Sequence, residues 1–585
     1  MKENKGITIV ALVITIVIML ILLGVTVTVV IKGDLIDTAK ESNDETRYAQ
    51  VLEQKEMWES EKLATDRFGA QAETLEEFVV RLKKEKILTE EEGEQILELG
   101  FVTIAKKDIL FDGKRSVADA SLWEYKLDKK TNLVTIIKYS GVIDNLTELT
   151  IPNFLLIDGK EYRVTKTEGK SNAAIANFNG NVIISKGITE IGWCSFNGAN
   201  KITGVEIPDS VTLISDYAFQ YCKSLTKVKI PGSVKKIGVG YNGYSNCQTF
   251  NGCSNIETVV LEEGLEEIGG RVFDACSKVK EWKLPKSLKK IGPGAFSSIG
   301  VEEFNIPENV ESIYARFLSS SNLVKVNVDS NNKYFTSVDG ILFDKNITRQ
   351  IKYPEKRESS SYEVPNTVNT IDANAFGSCK NLQTITIIDS VEKIGDSAFE
   401  GSKLKTINLG GGIANISNKL FYGALNLTNI NVITENDKYE SENGVLFNKG
   451  KTILIKYPPA IINGEVYEIP NTVVEIGPQS FYRRQIKNVI IPSSVKKIGS
   501  ESFFACYNLE ELNLPEGLER IEWRALYGCH KIKTIVVPSS VTFIGGEAFN
   551  NMDGLTKITI NKPENSLSGK PWGARASVII EWTGE

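Results

Sequence analysis

The side chains that most enzymes use for acid–base and nucleophilic chemistry are few in this sequence. Its 585 residues include a single histidine, His530, too few for Ser-His-Asp, Cys-His or multi-histidine metal chemistry unless a partner supplies the missing groups. The chain has no G-x-S-x-G, P-loop or H-E-x-x-H motif. The 74 acidic residues leave open an enzyme that uses a carboxylate pair across neighbouring repeats. We predict no catalytic, cofactor-binding or metal-binding residue, and therefore no cofactor and no enzyme.

The eight cysteines are the other reactive groups, and most of them share one position of a repeating pattern. Six follow A-F-x-x or a variant of it: Cys222, Cys253, Cys276, Cys379, Cys506 and Cys529. Because equivalent positions of stacked repeats form a ladder of buried side chains, we interpret these thiols as packing residues. The pattern gives no role to Cys194 and Cys247. No C-x-x-C pair occurs, and the lack of a disulfide framework fits an anaerobic or Gram-positive surface protein.

The cysteines are placed by a repeat of 22 or 23 residues, roughly I-P-x-S-V-x-x-I-G-x-x-A-F-x-x-C-x-x-L-x-x-V. It occurs, for example, at 206–228, 490–512 and 513–535. A period of this length is typical of a solenoid. Alternating apolar residues before the proline predict a strand, and the phenylalanines are expected to stack between coils. The sequence therefore predicts a repeat solenoid, mainly β, over residues 181–560.

Two inserts and two caps interrupt or close this repeat. Inserts near 330–360 and 435–468 contain Asp339-Gly340 and Asn443-Gly444 ahead of apolar runs, which predicts a β-hairpin in each. Two interpretations stay open: a pair of protrusions for a ligand, or ordinary lengthened coils. Alternation of apolar residues predicts a β-rich N-terminal cap at 111–180, and residues 561–585 have the size of a C-terminal cap.

The outward-facing strand positions are polar and of mixed charge, which fits protein or glycan recognition better than binding to a polyanion. With a net charge of −6 and no basic stripe, the chain is not expected to bind nucleic acid. Each of these residues, taken singly, is more often simply solvated than part of a binding site. They are Thr226, Lys227, Lys229, Lys280, Glu281, Lys283, Gln383, Thr384, Thr386, Lys405, Thr406, Asn408, Glu510, Glu511, Asn513, Lys533, Thr534 and Val536.

The N-terminal segment is apolar and long enough to cross a membrane. Residues from Ile7 to Ile31 carry no charge and would form a helix of about 37 Å. We therefore predict a transmembrane helix over residues 7–32. Lys2 and Lys5 precede it, so that the N-terminus is expected to stay in the cytoplasm and the solenoid to lie outside the cell. No small-x-small cleavage site follows, which favours a retained single-pass anchor.

Residues 33–110 are predicted to form an acidic helical stalk that ends in a small helical hairpin. The segment holds 20 acidic and 11 basic residues. Thr74-Leu75-Glu76-Glu77 fits a capping box, with apolar residues at helical spacing behind it. A second short helix is expected from Thr89. The acidic runs are interpreted as solvated faces, with a cation or partner site as the alternative.

The first ten residues, Met1 to Val10, resemble a type IV prepilin leader: a short basic segment ending in Lys5-Gly6, followed by a long apolar helix. The resemblance implies cleavage by a prepilin peptidase between Gly6 and Ile7, which makes residues 1–6 the leader. The family usually carries Glu at the fifth mature position, and Ala11 stands there in this chain. That difference argues against incorporation into a standard pilus.

The repeats over residues 140–560 resemble the BspA-type leucine-rich repeats of bacterial and protozoan surface proteins. The resemblance implies a leucine-rich-repeat solenoid with adhesive or binding roles. The leading hypothesis is accordingly a membrane-anchored bacterial cell-surface protein that binds an extracellular protein or glycan. The alternative is a minor pilin or pseudopilin-like subunit that displays the solenoid and has other pilin-like subunits as partners.

Overall fold

The computed structural model describes residues 75–85, 116–143, 146–169, 178–238, 240, 246–314, 316–417, 419–461 and 466–584. The chain divides into two compact units, residues 1–114 and 115–585. The described part of the first unit contains one helix, α1 (Leu75–Lys84). Val79 and Leu82 are buried on it, at the helical spacing that the sequence predicts.

Several predictions for the N-terminal region fall outside the described residues. These are the cleavage site Gly6–Ile7, the transmembrane helix 7–32, most of the stalk 33–110 and its second helix. Within the described ranges, none of the helices has the length and apolar character needed to cross a bilayer.

The second unit begins with a mixed β-structure. Its elements are β1 (Val117–Asp119), a 3-10 helix (Ala120–Leu122), β2 (Trp123–Asp128), β3 (Leu133–Tyr139), β4 (Glu148–Ile151), β5 (Phe154–Ile157) and β6 (Lys160–Thr167). Strands β2 and β3 pair antiparallel, and β3 pairs with β6 in parallel. Trp123 packs against Tyr139 with 4.8 Å between ring centroids. The alternation of apolar residues in the sequence therefore corresponds to a β-hairpin at this end of the unit.

One of the two parallel ladders of the repeats consists mostly of four-residue strands and is divided into five separate sheets. Its members after β4 are β7 (Asn181–Ile184), β9 (Gly204–Glu206), β11 (Lys227–Ile230), β13 (Thr258–Leu261), β17 (Glu303–Ile306), β20 (Lys325–Val328), β24 (Ser361–Glu363), β26 (Thr384–Ile387), β28 (Thr406–Leu409), β29 (Asn429–Val432), β33 (Val466–Glu468), β35 (Asn488–Ile490), β38 (Thr534–Val537), β40 (Lys557–Ile560) and β41 (Ile579–Trp582). Side chains alternate between the core and solvent along these strands, as the pleat requires. In β11, for example, Val228 and Ile230 are buried while Lys227 and Lys229 are exposed.

The other ladder consists of two-residue strands that begin new turns of the solenoid. They are β8 (Glu190–Ile191), β10 (Leu213–Ile214), β12 (Lys236–Ile237), β14 (Glu267–Ile268), β15 (Lys290–Ile291), β18 (Ser312–Ile313), β25 (Thr370–Ile371), β27 (Lys393–Ile394), β34 (Glu475–Ile476), β36 (Lys497–Ile498), β37 (Arg520–Ile521) and β39 (Phe543–Ile544). A separate pair, β16 (Phe296–Ile299) and β19 (Leu318–Ser320), also runs parallel. The mainly β solenoid that the repeat predicts is therefore the observed fold.

Two segments that the sequence analysis interprets as strands, 280–283 and 510–513, do not pair regularly with their neighbours. Around Lys280–Lys283 the backbone forms no strand, and Glu511 makes only an isolated bridge to Asn488. In the first of these segments Trp282 stands where β11 has Val228. Its ring lies 4.8 Å from that of Phe273 and 4.9 Å from that of Phe296. We attribute the local departure to this larger side chain, which fills the core between two coils.

Each insert forms a three-stranded antiparallel meander. The first comprises β21 (Phe335–Val338), β22 (Ile341–Asp344) and β23 (Arg349–Lys352); the second comprises β30 (Tyr439–Glu442), β31 (Val445–Asn448) and β32 (Ile453–Lys456). The third strand of each pairs in parallel with the next two-residue strand, β23 with β25 and β32 with β34. Each insert thus starts a new section of the short-strand ladder.

The hairpin turns of the inserts are those that the sequence predicts. Asp339 and Gly340 have φ values of 50° and 79°, and Asn443 and Gly444 have 50° and 78°. Two successive positive φ values are the mark of a type I′ turn, which matches the twist of the strands it joins. The carbonyls of both glycines accept a backbone hydrogen bond of 2.9 Å from the preceding long strand. The hairpins therefore pack onto the solenoid as parts of its coils.

Phenylalanines form an aromatic stack through the interior of the repeats. Phe219 lies 5.0 Å from Phe196 on one side and 5.0 Å from Phe250 on the other, with rings 13° and 5° from parallel. The same contact recurs between Phe481 and Phe503 at 4.9 Å. Because a single coil could not cover these rings, stacking of neighbours is what buries them.

Candidate ligand-binding surface

The thiols lie in the core and take no part in any exposed site. All eight cysteines are free and buried. Five of them donate an S–H bond of 3.0–3.4 Å to the carbonyl of the phenylalanine in the preceding coil: Cys222, Cys253, Cys276, Cys506 and Cys529. Burial raises the pKa of Cys194 to about 11 and that of Cys247 to about 12. The thiols at the repeat position are therefore buried packing residues of the core, as the repeat predicts.

The histidine is half-buried and makes structural contacts. Its ring stacks on Tyr507 at 5.2 Å, and His530 Nδ1 lies 3.2 Å from an Asp553 carboxylate oxygen. Asp553 also accepts from Arg575. Among the residues that the structure describes, no three His, Cys, Asp or Glu side chains are grouped to hold a metal ion.

The outward strand residues named from sequence are exposed or half-buried. Polar side chains at such outward positions contact their equivalents in neighbouring coils. Lys325 pairs with Glu303 at 3.0 Å. Asn431 donates to Asn408 at 3.0 Å, and Asn408 donates to Thr386 at 3.2 Å. These ladders of polar side chains keep a regular surface of mixed charge. These contacts do not distinguish any single outward residue as a ligand-binding residue.

A more distinctive surface lies one residue after the stacked phenylalanine position, in the last coils. There Tyr422, Tyr482, Phe504 and Tyr527 follow one another; we call these four residues the aromatic column. Successive ring centroids are 5.9, 5.1 and 4.8 Å apart. The last two pairs are within 9° and 5° of parallel. Tyr422 is exposed and the other three are half-buried. Since Tyr482, Phe504 and Tyr527 stack face to face, their edges and not their faces are the parts of these rings that can reach solvent.

Trp523 and Arg524 extend this surface. Trp523 is 43 % exposed, and the guanidinium carbon of Arg524 lies 4.2 Å from its ring centroid and 5.3 Å from that of Tyr527. Arg524 Nε also donates to Glu547 at 2.6 Å, a bond that raises the pKa of the guanidinium. The Arg524 side chain is thereby held between two aromatic rings and a carboxylate.

Three early coils fill the same column position with amides. Asn197 Nδ2 donates to Gln220 Oε1 at 2.9 Å, and Gln220 donates to Asn251 at 3.3 Å. The same position is therefore polar in these early coils and aromatic in Tyr422, Tyr482, Phe504 and Tyr527. Sequence reasoning missed it, although Phe481-Tyr482 and Phe503-Phe504 are the visible signal: a second aromatic residue directly after the core one.

The composition of this surface suits protein recognition. Trp, Tyr and Arg are the residues enriched where protein–protein interfaces gain most of their binding energy. Large aromatic side chains offer contact area with little rotamer entropy to lose. Stacked rings that present their edges are less suited to hydrophobic stacking on a sugar, which needs an open ring face. Trp523 is the member with the most exposed ring.

Comparison with known proteins places the repeats in a family. The BspA type leucine rich repeat region (6 copies) matches residues 175–249, 244–346, 347–456 and 462–570. No curated protein sequence matches the chain.

Solved structures of bacterial leucine-rich-repeat proteins resemble it at low identity. A leucine-rich repeat protein from Eubacterium ventriosum is 19% identical over 77% of this chain and 97% of its own, with a TM-score of 0.39. A leucine rich cell surface protein from Faecalibacterium prausnitzii is 21% identical over 78% and 97%, with a TM-score of 0.36. The pneumococcal vaccine antigen PcpA is 18% identical over 80% and 93%, with a TM-score of 0.35. Since the family match spans well over half of the sequence, the chain belongs to the BspA-type leucine-rich-repeat family.

Proposed function

We propose that this chain is a bacterial cell-surface protein that binds an extracellular protein or glycan through the outer surface of its solenoid. The observation that carries the proposal is the aromatic column with Trp523 and Arg524 beside it. An exposed cluster of this composition on a rigid repeat scaffold is typical of a recognition surface. Family membership supports the same conclusion, since such solenoids are generally binding scaffolds.

The proposal also covers how the solenoid is attached to the cell. The uncharged segment 7–32 is proposed to anchor the chain in the membrane, with the stalk 33–110 leading to the cap at 111–180. The solenoid at 181–560 and the C-terminal cap at 561–585 then lie outside the cell. The positive charges of Lys2 and Lys5 support this orientation. The proposal assigns no catalytic activity to the chain.

Binding is tested by probing an array of glycans and matrix proteins with the detergent-solubilised full-length chain. We expect at least one reproducible protein ligand. Substitution Trp523→Ala should then weaken binding at least tenfold, because an interface tryptophan commonly contributes more than about 1.4 kcal/mol.

Trp193 provides the matched control for that experiment. It is 44 % exposed and occupies the position of Trp523 in an early coil, where it meets Tyr217 edge-on at 6.5 Å and no member of the aromatic column. Trp193→Ala should leave binding unchanged. No ligand on the array, or equal losses for both variants, would count against the proposed surface.

A second candidate function is a minor pilin-like subunit, and the Lys5-Gly6 leader is the observation that favours it. Mass spectrometry of the mature N-terminus separates the two. A new N-terminus at Ile7 would support processing by a prepilin peptidase. An intact Met1, or a cut at another bond, would rule that route out.

A further inference from the structure

Two cationic side chains are buried where the second insert meets the following coil, near enough for their charges to interact. Lys456, at the end of β32, is 5 % exposed, and Arg484, in the following coil, is 2 % exposed. Arg484 stands in the repeat position that Cys506 and Cys529 occupy in the next two coils. A guanidinium therefore replaces a small thiol inside the ladder.

The first insert neutralises the corresponding lysine with a carboxylate. Lys352, the equivalent of Lys456, lies 2.7 Å from Glu355, and both side chains are buried. Cys379 fills the ladder position there. In the second insert Pro459 stands in place of Glu355 and Arg484 in place of Cys379. Two substitutions thus remove one negative charge and add one positive charge in the same enclosed place.

The hydrogen bonds of the two cations leave donors unused. Lys456 Nζ donates to the carbonyl of Gln479 at 2.7 Å. Arg484 Nε and Nη1 are buried, and within the described residues neither has a hydrogen-bond partner. A buried guanidinium with two unpaired N–H groups is costly, because each group has lost water without gaining an acceptor.

The pKa values of Lys456 and Arg484 also show that the positive charge of this buried pair is poorly accommodated. Burial lowers the pKa of Lys456 well below its usual value, and the charge of Arg484 lowers it further. Burial also lowers the pKa of Arg484 to about 9. Since arginine keeps its proton at neutral pH, a negatively charged acceptor would satisfy the N–H groups and also offset the buried positive charge.

We propose that the second insert encloses a small inorganic anion of chloride size, bound by the unpaired N–H groups of Arg484 and by the ammonium of Lys456. A small ion is required because Nε and Nη1 of Arg484 are shielded from solvent, so that an organic acid could reach them only if the coil opened. The anion would supply the charge that Glu355 supplies in the first insert.

Crystals of the full-length chain grown in bromide test the proposal directly, because bromide substitutes for chloride and scatters anomalously. We expect an anomalous peak within hydrogen-bond distance of Arg484 and none beside Lys352, which serves as a control within the same crystal. The absence of a peak at Arg484 would overturn the proposal. So would a carboxylate of the chain bonded to Arg484.

Two variants probe which residues create the site. Arg484→Cys restores the thiol of the neighbouring coils and should abolish the bromide peak. The double substitution Glu355→Pro with Cys379→Arg copies the second site into the first and should create a peak beside Lys352. A peak that survives Arg484→Cys would mean that Arg484 does not bind the ion. If the double variant fails to fold, the wild-type map still decides.

Discussion

Lys352 and Glu355 form an ion pair of 2.7 Å in the core of the first insert, with side chains only 3 % and 1 % exposed. The carboxylate of Glu355 also accepts a hydrogen bond of 3.2 Å from the backbone amide of Ser320. The pair therefore joins the last strand of the insert to β19 of the preceding coil. Burial raises the pKa of Glu355, and the charge of Lys352 opposes that effect.

Glu355→Gln should destabilise the first insert by about 3–5 kcal/mol, because it leaves a buried ammonium without its counter-charge. Hydrogen exchange of backbone amides in residues 335–352 measures the free energy of local opening. Glu303→Gln is the matched control, since Glu303 and Lys325 pair at 3.0 Å with half of each side chain exposed. That change should cost less than about 1 kcal/mol. Equal effects of the two substitutions would show that the buried pair does not stabilise the insert.

Phe219→Ala should cost about 3–5 kcal/mol, because it opens a cavity in the middle of the aromatic stack. Phe219 is fully buried between two parallel rings. Phe543→Ala tests the importance of position: Phe543 is 36 % exposed and lies under Arg520, so its loss should cost about 1 kcal/mol or less. Urea unfolding followed by tryptophan fluorescence compares the two variants. A similar shift in their midpoints would contradict the stacking argument.

None of the eight thiols should react with iodoacetamide in the native chain at pH 8, since all are buried and thiolate is the reactive form. Peptide mass spectrometry after a timed reaction counts the labelled cysteines. Cys194 should be labelled faster as the pH approaches 11, the region to which burial raises its pKa. The raised pKa also means that folding favours the neutral thiol, so this contribution to stability is present below pH 9 and lost as the pH rises through about 11.

Labelling in urea is the control for the thiol experiment, because unfolding should make all eight cysteines reactive. Rapid labelling of a cysteine such as Cys222 in the native chain would show that its coil opens easily. In that case the ladder of S–H bonds would not reflect a stably packed core.

The parts of the fold that recur were predictable from sequence, and the contacts made once were not. The 22- to 23-residue period predicts the solenoid because every coil repeats the same buried positions, including the thiol that Cys222 and Cys529 share. Asp339-Gly340 predicts a hairpin because only a few residues adopt two positive φ values. Both rules use only residues that are close together in sequence or that recur from coil to coil.

The binding surface depends on neighbours in space instead. Tyr482 and Phe504 form a column only because stacking of the coils places residues 22 positions apart at 5.1 Å. In the sequence, read coil by coil, they are separate aromatic residues. The Lys352–Glu355 pair was missed for a similar reason: both residues flank Tyr353-Pro354, which reads as the apolar end of a strand. The repeat gives no sign that a lysine at that position points into the core.

Gly340→Ala should destabilise the first insert more than Gly450→Ala destabilises the second, although both glycines have positive φ values, 79° and 82°. An alanine at 340 would place its Cβ 2.5 Å from Cβ of Lys325, whereas one at 450 would meet nothing within 4 Å. Backbone strain alone costs about 1–2 kcal/mol, and the clash adds about 1–3 kcal/mol. Hydrogen exchange of the amides in each hairpin measures both effects. Equal destabilisation would mean that the first hairpin does not pack against β20 as closely as its Gly340 carbonyl bond to Val326, 2.9 Å, implies.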